Sequence, residues 1–231
     1  DLTIVSIFVN PAQFGPKEDF KKYPRMFRQD TKLSQKAGAD IIFYPTPKDI
    51  YPDGYKTYVT VNDLSDLLCG ASRPNHFRGV ATIVTKLFNI VMPTVAYFGQ
   101  KDAQQSIIIN KLTKDLNFLV KIKVMPTVRE KDGLAMSSRN IYLNKQERQD
   151  ALVLTKSLKL ARILIKGGLK DSNRIILRMK ELIKKVHNAK IDYVCIVDRE
   201  DLSPVKKITD SVLIALAVRI GKTRLIDNII I

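Results

Sequence analysis

Cysteine is scarce in this 231-residue sequence. Cys69 and Cys195 are the only two, too few and too far apart for a disulfide framework or a structural zinc site. Histidine is equally rare, with only His76 and His187. No apolar run approaches the ~18 residues of a membrane span; the longest near the end, residues 212–218, is cut by Arg219. The opening DLTIVSIFVNP has neither a basic leader nor a small-residue cleavage site, so no signal peptide is expected. Walker A, G-x-G-x-x-G, H-E-x-x-H and C-x-x-C patterns are all missing, which removes support for a P-loop NTPase, a dehydrogenase or a zinc hydrolase. Internal repeats and low-complexity tracts are missing too. The expectation is a soluble, cytoplasmic chain without membrane contact.

What is present looks globular. Hydrophobic residues make up 45% and charged residues 27%, in a length that suits one large domain or two small ones. Lys and Arg number 39 against 23 Asp and Glu, a net charge of +16. Residues 151–190 alone hold 11 positive and 2 negative side chains, so over half of the surplus falls in one helical region. Such a surface attracts polyanions, nucleotide phosphates included. A solvated helix face accounts for it as well and is the favoured explanation.

The apolar pattern alternates between strand-like and helix-like segments. TIVSIFV (3–9) is a β-branched run that predicts a strand buried on both faces. A helix over 27–37, closed by Gly38, precedes a second strand, DIIFYP (40–45). TYVTV (57–61) predicts a short third strand, and the spacing over 80–91 predicts a helix. VAYFG (95–99), a helix over 102–116 and VKIKVMP (120–126) complete a parallel α/β sheet. Ligands bind such sheets at the carboxyl ends of the strands. Beyond Thr127 the texture changes to a polar loop, two helices (145–166 and 171–187) split by Gly167-Gly168, and three strands (192–197, 211–220, 224–231). The expected organisation is a parallel-sheet domain over 1–127 and a smaller α+β domain over 128–231.

Four loops beside strand ends gather unusual polar residues. In FVNPAQFG (8–15), Pro11 fixes the backbone and holds Gln13 near the sheet edge, where its amide can both donate and accept. An ordinary strand-to-helix turn explains the same string. GASRPNHFRGV (70–80) carries Arg73, His76 and Arg78 into a helix entered at Gly79, a place for an anion. His76 has the titration range of a general base, yet the sequence shows it no orienting partner, so a merely polar His76 is favoured. In YFGQKDAQQ (97–105), Gly99 admits close approach to the backbone and Lys101 supplies a point charge for phosphate. Asp102 either caps the helix or accepts from ribose hydroxyls, and Gln105 lies one turn beyond Lys101. LAMSSRN (134–140) offers two hydroxyls and an arginine, suited to a flexible clamp on a triphosphate.

Together these loops resemble the pantothenate synthetase (pantoate–β-alanine ligase) family. The matching strings are SIFVNPAQFGPKEDFKKYPR (6–25), GASRPNHFRGVATIVTKLFN (70–89), YFGQKDAQQ (97–105), VREKDGLAMSSRNIYL (128–143) and TRLIDN (223–228). They run in the family's order and extend across nearly the whole chain. The resemblance implies a Rossmann-like domain of the nucleotidylyltransferase superfamily with a C-terminal lid domain. It also implies ATP-dependent joining of pantoate and β-alanine through a pantoyl-adenylate, with release of AMP and pyrophosphate. By the same resemblance Gln13, Gln105 and Asn10 bind pantoate and β-alanine. Gly99, Gln100, Lys101, Asp102, Val128, Met136, Ser137, Ser138 and Arg139 bind ATP, and Lys101 and Arg139 support catalysis. Magnesium, a homodimer and a cytoplasmic location follow as family traits, while the sequence suggests no protein ligand for a metal.

The family's opening strand and its His-x-Gly-His helix are not found in these 231 residues. On the resemblance this predicts an exposed sheet edge, an uncertain fold and severely impaired ligation. Cys69 replaces a usual acidic residue, and Asn75 a usual glycine. Two alternatives stand beside the ligase. One is another adenylyl- or cytidylyltransferase of the superfamily. The other is a non-catalytic nucleotide- or nucleic-acid-binding protein on a degenerate synthetase scaffold, with nucleic acid the less favoured partner.

Overall fold

A computed structural model describes residues 1–16 and 18–231 of the chain. The elements, in order, are β1 (Ile4–Ser6), α1 (Phe27–Lys36), β2 (Ile41–Phe43), α2 (Pro47–Ile50), α3 (Cys69–Ser72), α4 (His76–Val91), β3 (Val95–Gly99), α5 (Ala103–Asp115), β4 (Lys121–Met125), α6 (Lys145–Lys166), α7 (Ser172–Lys184), β5 (Ala189–Val197), β6 (Leu213–Ile220) and β7 (Thr223–Ile230). Short 3-10 turns at Pro11–Gln13, Gln100–Asp102 and Ser138–Tyr142 carry half of the polar residues singled out above.

The α/β class holds, with parallel strands first and an antiparallel sheet last. Among the described residues the parallel strands form two separate pairs, β1 with β2 and β3 with β4, rather than one sheet. Each pair connects its two strands through a helix, α1 or α5, as parallel pairing requires. A two-stranded ribbon cannot bury both faces, and β1 is accordingly short and mostly exposed rather than the fully buried strand expected. The expected strand at 57–61 does not form. There the Val59 N–H donates to Thr82 Oγ1 of α4 at 3.0 Å, so a helix side chain replaces a ladder partner.

The C-terminal elements follow the sequence pattern closely. Asn144 and Glu147 form a reciprocal capping box at the start of α6, and Asp171 caps α7 by accepting from the Arg174 N–H at 2.9 Å. Gly168, at φ +91°, permits the turn between the two helices. The basic side chains of 151–190, all but Lys180, are exposed, most of them on the outer faces of this pair and the rest on the segments flanking α7, which supports the solvated-face explanation. β6 is the central strand of the antiparallel sheet β5-β6-β7. Its near-continuous apolar run reflects cover on both sides. Ile214, Leu216, Val218 and Ile220 pack with α6 and α7, while Leu213 and Ala215 face a second core with Phe77, Val80, Phe88, Ile108 and Ile109.

α4 begins one turn earlier than its apolar spacing suggests. Asn75 precedes it at φ 65°, a left-handed conformation that Asn tolerates better than most residues and that explains a family preference for glycine there. The first turn of α4 is packed directly on the Pro11–Gln13 turn. A Cβ at Gly79 would overlap the Ala12 carbonyl and lie 2.6 Å from the Gln13 nitrogen, all main-chain atoms that cannot step aside. Gly79→Ala is therefore expected to cost about 1–3 kcal/mol of stability through overpacking. Thermal unfolding measures this, and an unchanged midpoint would show that the turn is not seated on the helix.

Candidate active site

One cleft collects residues from three of the four loops and from the last strand. Arg73 and His76 stand on one side, Lys101, Asp102 and Gln105 on another, and Ser137, Arg139 and Asn140 on a third. Arg224, Asp227 and Asn228 of β7 form its back.

The β3–α5 turn shows how the local sequence is used. Gly99 ends β3 with nothing near the position a Cβ would take, so the backbone there stays open. Asp102 sits at the helix N-cap position but makes no side-chain capping bond, and its carboxylate lies 3.9 Å from Lys101 Nζ. The simpler explanation of Asp102, a helix cap, is thus not realised. Gln105 faces the cleft, whereas Gln104 is buried: its Nε2 donates to the Leu64 and Leu67 carbonyls, and its Oε1 accepts from the Cys69 N–H. Asn228 Nδ2 donates to the Gln100 and Lys101 carbonyls, both at 2.9 Å, and so fastens this turn to β7. Gln100 itself is engaged with Asn228 by its side chain.

Asn10 is buried with its whole amide committed. Its Oδ1 accepts from the Ala12 N–H and the Tyr51 hydroxyl, and its Nδ2 donates to the Gly79 carbonyl and to Gln13 Oε1. It therefore stands behind Gln13, and neither amide is among the residues that line the cleft. Burial, the larger effect, pushes the Tyr51 hydroxyl up to about 12, so it remains a donor to Asn10.

The 128–140 loop is braced by ion pairs and hydrogen bonds to α6 and β7. Arg129 makes a bidentate pair with Asp227 at 2.7 and 2.9 Å, and Asp227 is 2% exposed. Thr155 Oγ1 donates to the Gly133 carbonyl, and Arg148 pairs with Glu130 and Asp132. Backbone bonding between Val128 and Met136 closes the loop, leaving both side chains exposed. Ser137 Oγ accepts from the Arg139 N–H, and Ser138 Oγ donates to the Tyr23 hydroxyl. Arg139 forms a bidentate pair with Asp19 at 2.9 and 2.8 Å.

Arg73 forms the corresponding pair with Glu18, both bonds at 2.7 Å. Burial would raise the Glu18 carboxyl, but Arg73 outweighs it and holds the group below the usual range. The Arg139 hydrogen bonds hold Asp19 below its usual range too. Arg224, a possible partner for an acidic residue at position 69, pairs instead with Asp192 at 2.7 Å and touches Cys69 Sγ at 3.4 Å. The sequence signals missed Glu18, Asp19, Arg129, Asp227 and Asn228, although the strings that hold them were among those matching the family.

Against models of known protein families the chain matches the one described as Pantoate-beta-alanine ligase over residues 1–230. The chain belongs to that family. It is 57% identical over 231 residues to the pantothenate synthetase of Acetivibrio thermocellus and 56% identical to that of Heliobacterium modesticaldum, covering all of this chain and 82% of each relative. Its fold superposes on the crystal structure of pantothenate synthetase from Thermus thermophilus with a TM-score of 0.96 at 41% identity, over 99% of this chain and 83% of that one. The ligase of Francisella tularensis, solved with beta-gamma ATP and beta-alanine, gives 0.76 at 35% identity over 99% and 79%. The expected uncertainty of fold and severe impairment find no support here, because the family's fold is retained over 99% of the chain and three of the four loops stand around one cleft.

Burial and the neighbouring Arg73 charge press the His76 imidazole down to about 4. An unfolded chain takes up this proton near pH 6.5, and the folded one does not until about 4. The unfolded state thus binds more protons in that window, and stability falls as pH drops from 6.5 towards 4. Urea unfolding at several pH values should show this slope, and His76→Asn should flatten it. An equal slope in the variant would place the acid sensitivity elsewhere.

Proposed function

We infer that this chain joins pantoate to β-alanine at the expense of ATP, with AMP and pyrophosphate released. The observation that carries the reading is the convergence of Gln105, Lys101, Asp102, Ser137 and Arg139 on one cleft in a chain of this family. In the first step a pantoate carboxylate oxygen forms a bond to the ATP α-phosphorus, and the bond to pyrophosphate breaks. In the second, the β-alanine amine adds to the acyl carbon, AMP leaves with that carboxylate oxygen, and the nitrogen loses a proton. No protein nucleophile is required, so the chain's contribution is positioning and charge stabilisation.

Lys101 and Arg139 are proposed to face the phosphates, with Ser137 and Ser138 beside them and the exposed Met136 and Val128 edge against the adenine. Gly99 and Gln100 supply backbone to the nucleotide, and Asp102, left uncapped, accepts from the ribose. Gln13 and Gln105 are proposed to hold pantoate, Gln13 also lying beside β-alanine, with Asn10 acting through Gln13.

Among the described residues no three of His, Cys, Asp and Glu gather as a metal cage, so a resident magnesium site does not fit. Magnesium is proposed to arrive with ATP, held by phosphate oxygens and water. No described helix is long and apolar enough to cross a membrane. A cytoplasmic homodimer, divided into 1–127 and 128–231, completes the proposal.

Pantoate labelled with oxygen-18 in its carboxylate tests the route. One labelled oxygen should appear in AMP, and label in inorganic phosphate or in neither product would overturn the adenylate path.

Arg139 must exchange Asp19 for phosphate when ATP binds. Removing the competing charge with Asp19→Asn should lower the KM for ATP about fivefold, the worth of a partly exposed ion pair of about 1 kcal/mol. A raised KM would mean that Asp19 helps to build the nucleotide site instead.

A further inference from the structure

His76 sits with both ring nitrogens engaged. Nε2 lies 3.0 Å from Arg73 Nη1, and Nδ1 lies 2.8 Å from the Gln13 carbonyl oxygen. A guanidinium only donates and a carbonyl only accepts. Nε2 must therefore be the bare, accepting nitrogen, and Nδ1 must carry the proton and donate it to Gln13. Neither nitrogen is left to move a substrate proton. Arg73 is itself locked by its two bonds to Glu18, and its Nη2 also reaches the Gln13 carbonyl at 3.4 Å.

The side-chain end of Gln13 is set by the same logic. The Ala12 N–H can only meet the Asn10 oxygen, and the Gly79 carbonyl can only meet the Asn10 nitrogen. Asn10 thus points its nitrogen at Gln13 Oε1, 3.3 Å away, which leaves Gln13 Nε2 as the donor without a partner among the described residues. A donor there suits a carboxylate or hydroxyl oxygen and not an ammonium group.

We propose that His76 is a positioning residue. As the neutral Nδ1–H tautomer imposed by Arg73, it tethers the main chain of Gln13 and so sets where the Gln13 amide meets the acid substrate. This rests on the reading of Gln13 as a pantoate ligand. It differs from the general-base role that a loop histidine invites, because the ring holds the protein and does not exchange protons with the substrate.

Two measurements decide it. The chain has only two histidines, so nitrogen-15 labelling with a His187→Gln variant assigns the His76 ring directly. The expected spectrum shows protonated Nδ1 and bare Nε2 from about pH 5.5 to 8, without titration. An Nε2–H tautomer, or titration near the ordinary histidine value of about 6.5, would overturn the proposal even if no variant folds. In steady-state kinetics, His76→Ala should raise the KM for pantoate about tenfold, one hydrogen bond's worth, with the KM for ATP within about twofold. His76→Asn places an amide N–H near the Nδ1 position and should restore the pantoate KM to within about threefold of the parent. His76→Gln, whose amide reaches the Nε2 position, should not. A kcat collapse shared equally by Ala and Asn variants would instead mark a proton-transfer role and sink the inference. Gln13→Ala is the control. If it raises the pantoate KM while His76→Ala does not, only the tether is wrong; if Gln13→Ala leaves that KM unchanged, the assignment of Gln13 falls and the tether with it.

Discussion

Two consecutive residues of β7 hold the cleft open at a fixed width. Side chains alternate between the faces of a strand, so Asp227 and Asn228 necessarily reach in opposite directions. Asp227, buried, takes Arg129 and with it the 128–140 loop. Asn228 takes the Gln100 and Lys101 carbonyls and with them the β3–α5 turn. A buried carboxylate is tolerable only when its charge and lone pairs are matched, and here the two Arg129 bonds and the Asn228 N–H do so. The requirement runs both ways. Losing Arg129 would leave an uncompensated charge in the interior, so the loop cannot detach from the strand without a large penalty. The walls of the site are thereby tied to the best-packed sheet in the molecule, whose central strand is covered on both sides.

Against this fixed back stands a front held by exchangeable charge. Glu18 and Asp19, adjacent in sequence, each grip one cleft arginine through a bidentate pair. The Asp19–Arg139 pair is partly exposed, where such a contact is individually modest and yields to a stronger anion, whereas Arg73 is held by His76 as well as by Glu18. The two sides of the site therefore differ in kind. Arg129 and Arg73 are committed to structure, while Arg139 is pre-charged and pre-oriented, with the Asp19 carboxylate keeping it in place. A chain with a large positive surplus benefits from this arrangement, since bare arginines in a narrow cleft would repel one another.

Much of the fold is legible from periodicity alone. β3, β4, α6 and α7 combine regular apolar spacing with clear stops, and their bounds fall close to expectation. Residues 57–61 look like a strand because β-branched residues recur there, yet the central Val59 N–H is taken by Thr82, a partner remote in sequence. The start of α4 is hidden because Asn75 enters in a left-handed conformation without a side-chain cap. Among site residues, those clustered beside strand ends in one string, such as Lys101, Asp102 and Gln105, are legible. The pairs Glu18–Arg73, Asp19–Arg139 and Arg129–Asp227 are not, since they join segments 55, 120 and 98 residues apart. Charge identity alone does not say which arginine meets which acid.

Neighbouring residues of one type show most clearly why chemistry cannot be assigned from composition. Gln104 and Gln105 are identical in every local property, but one helical step of about 100° turns Gln104 into the core and Gln105 into the cleft. Gln104 then satisfies three backbone groups of the 64–69 segment, and any substrate role is closed to it. Asn10 and Gln13 divide the same way across a 3-10 turn, the inner amide bound on every side and the outer one left with a donor that no described residue takes up. In each pair the inner residue makes the outer one rigid. A polar residue in this site becomes available to a ligand only when a like neighbour has already taken up the unsatisfied backbone groups around it.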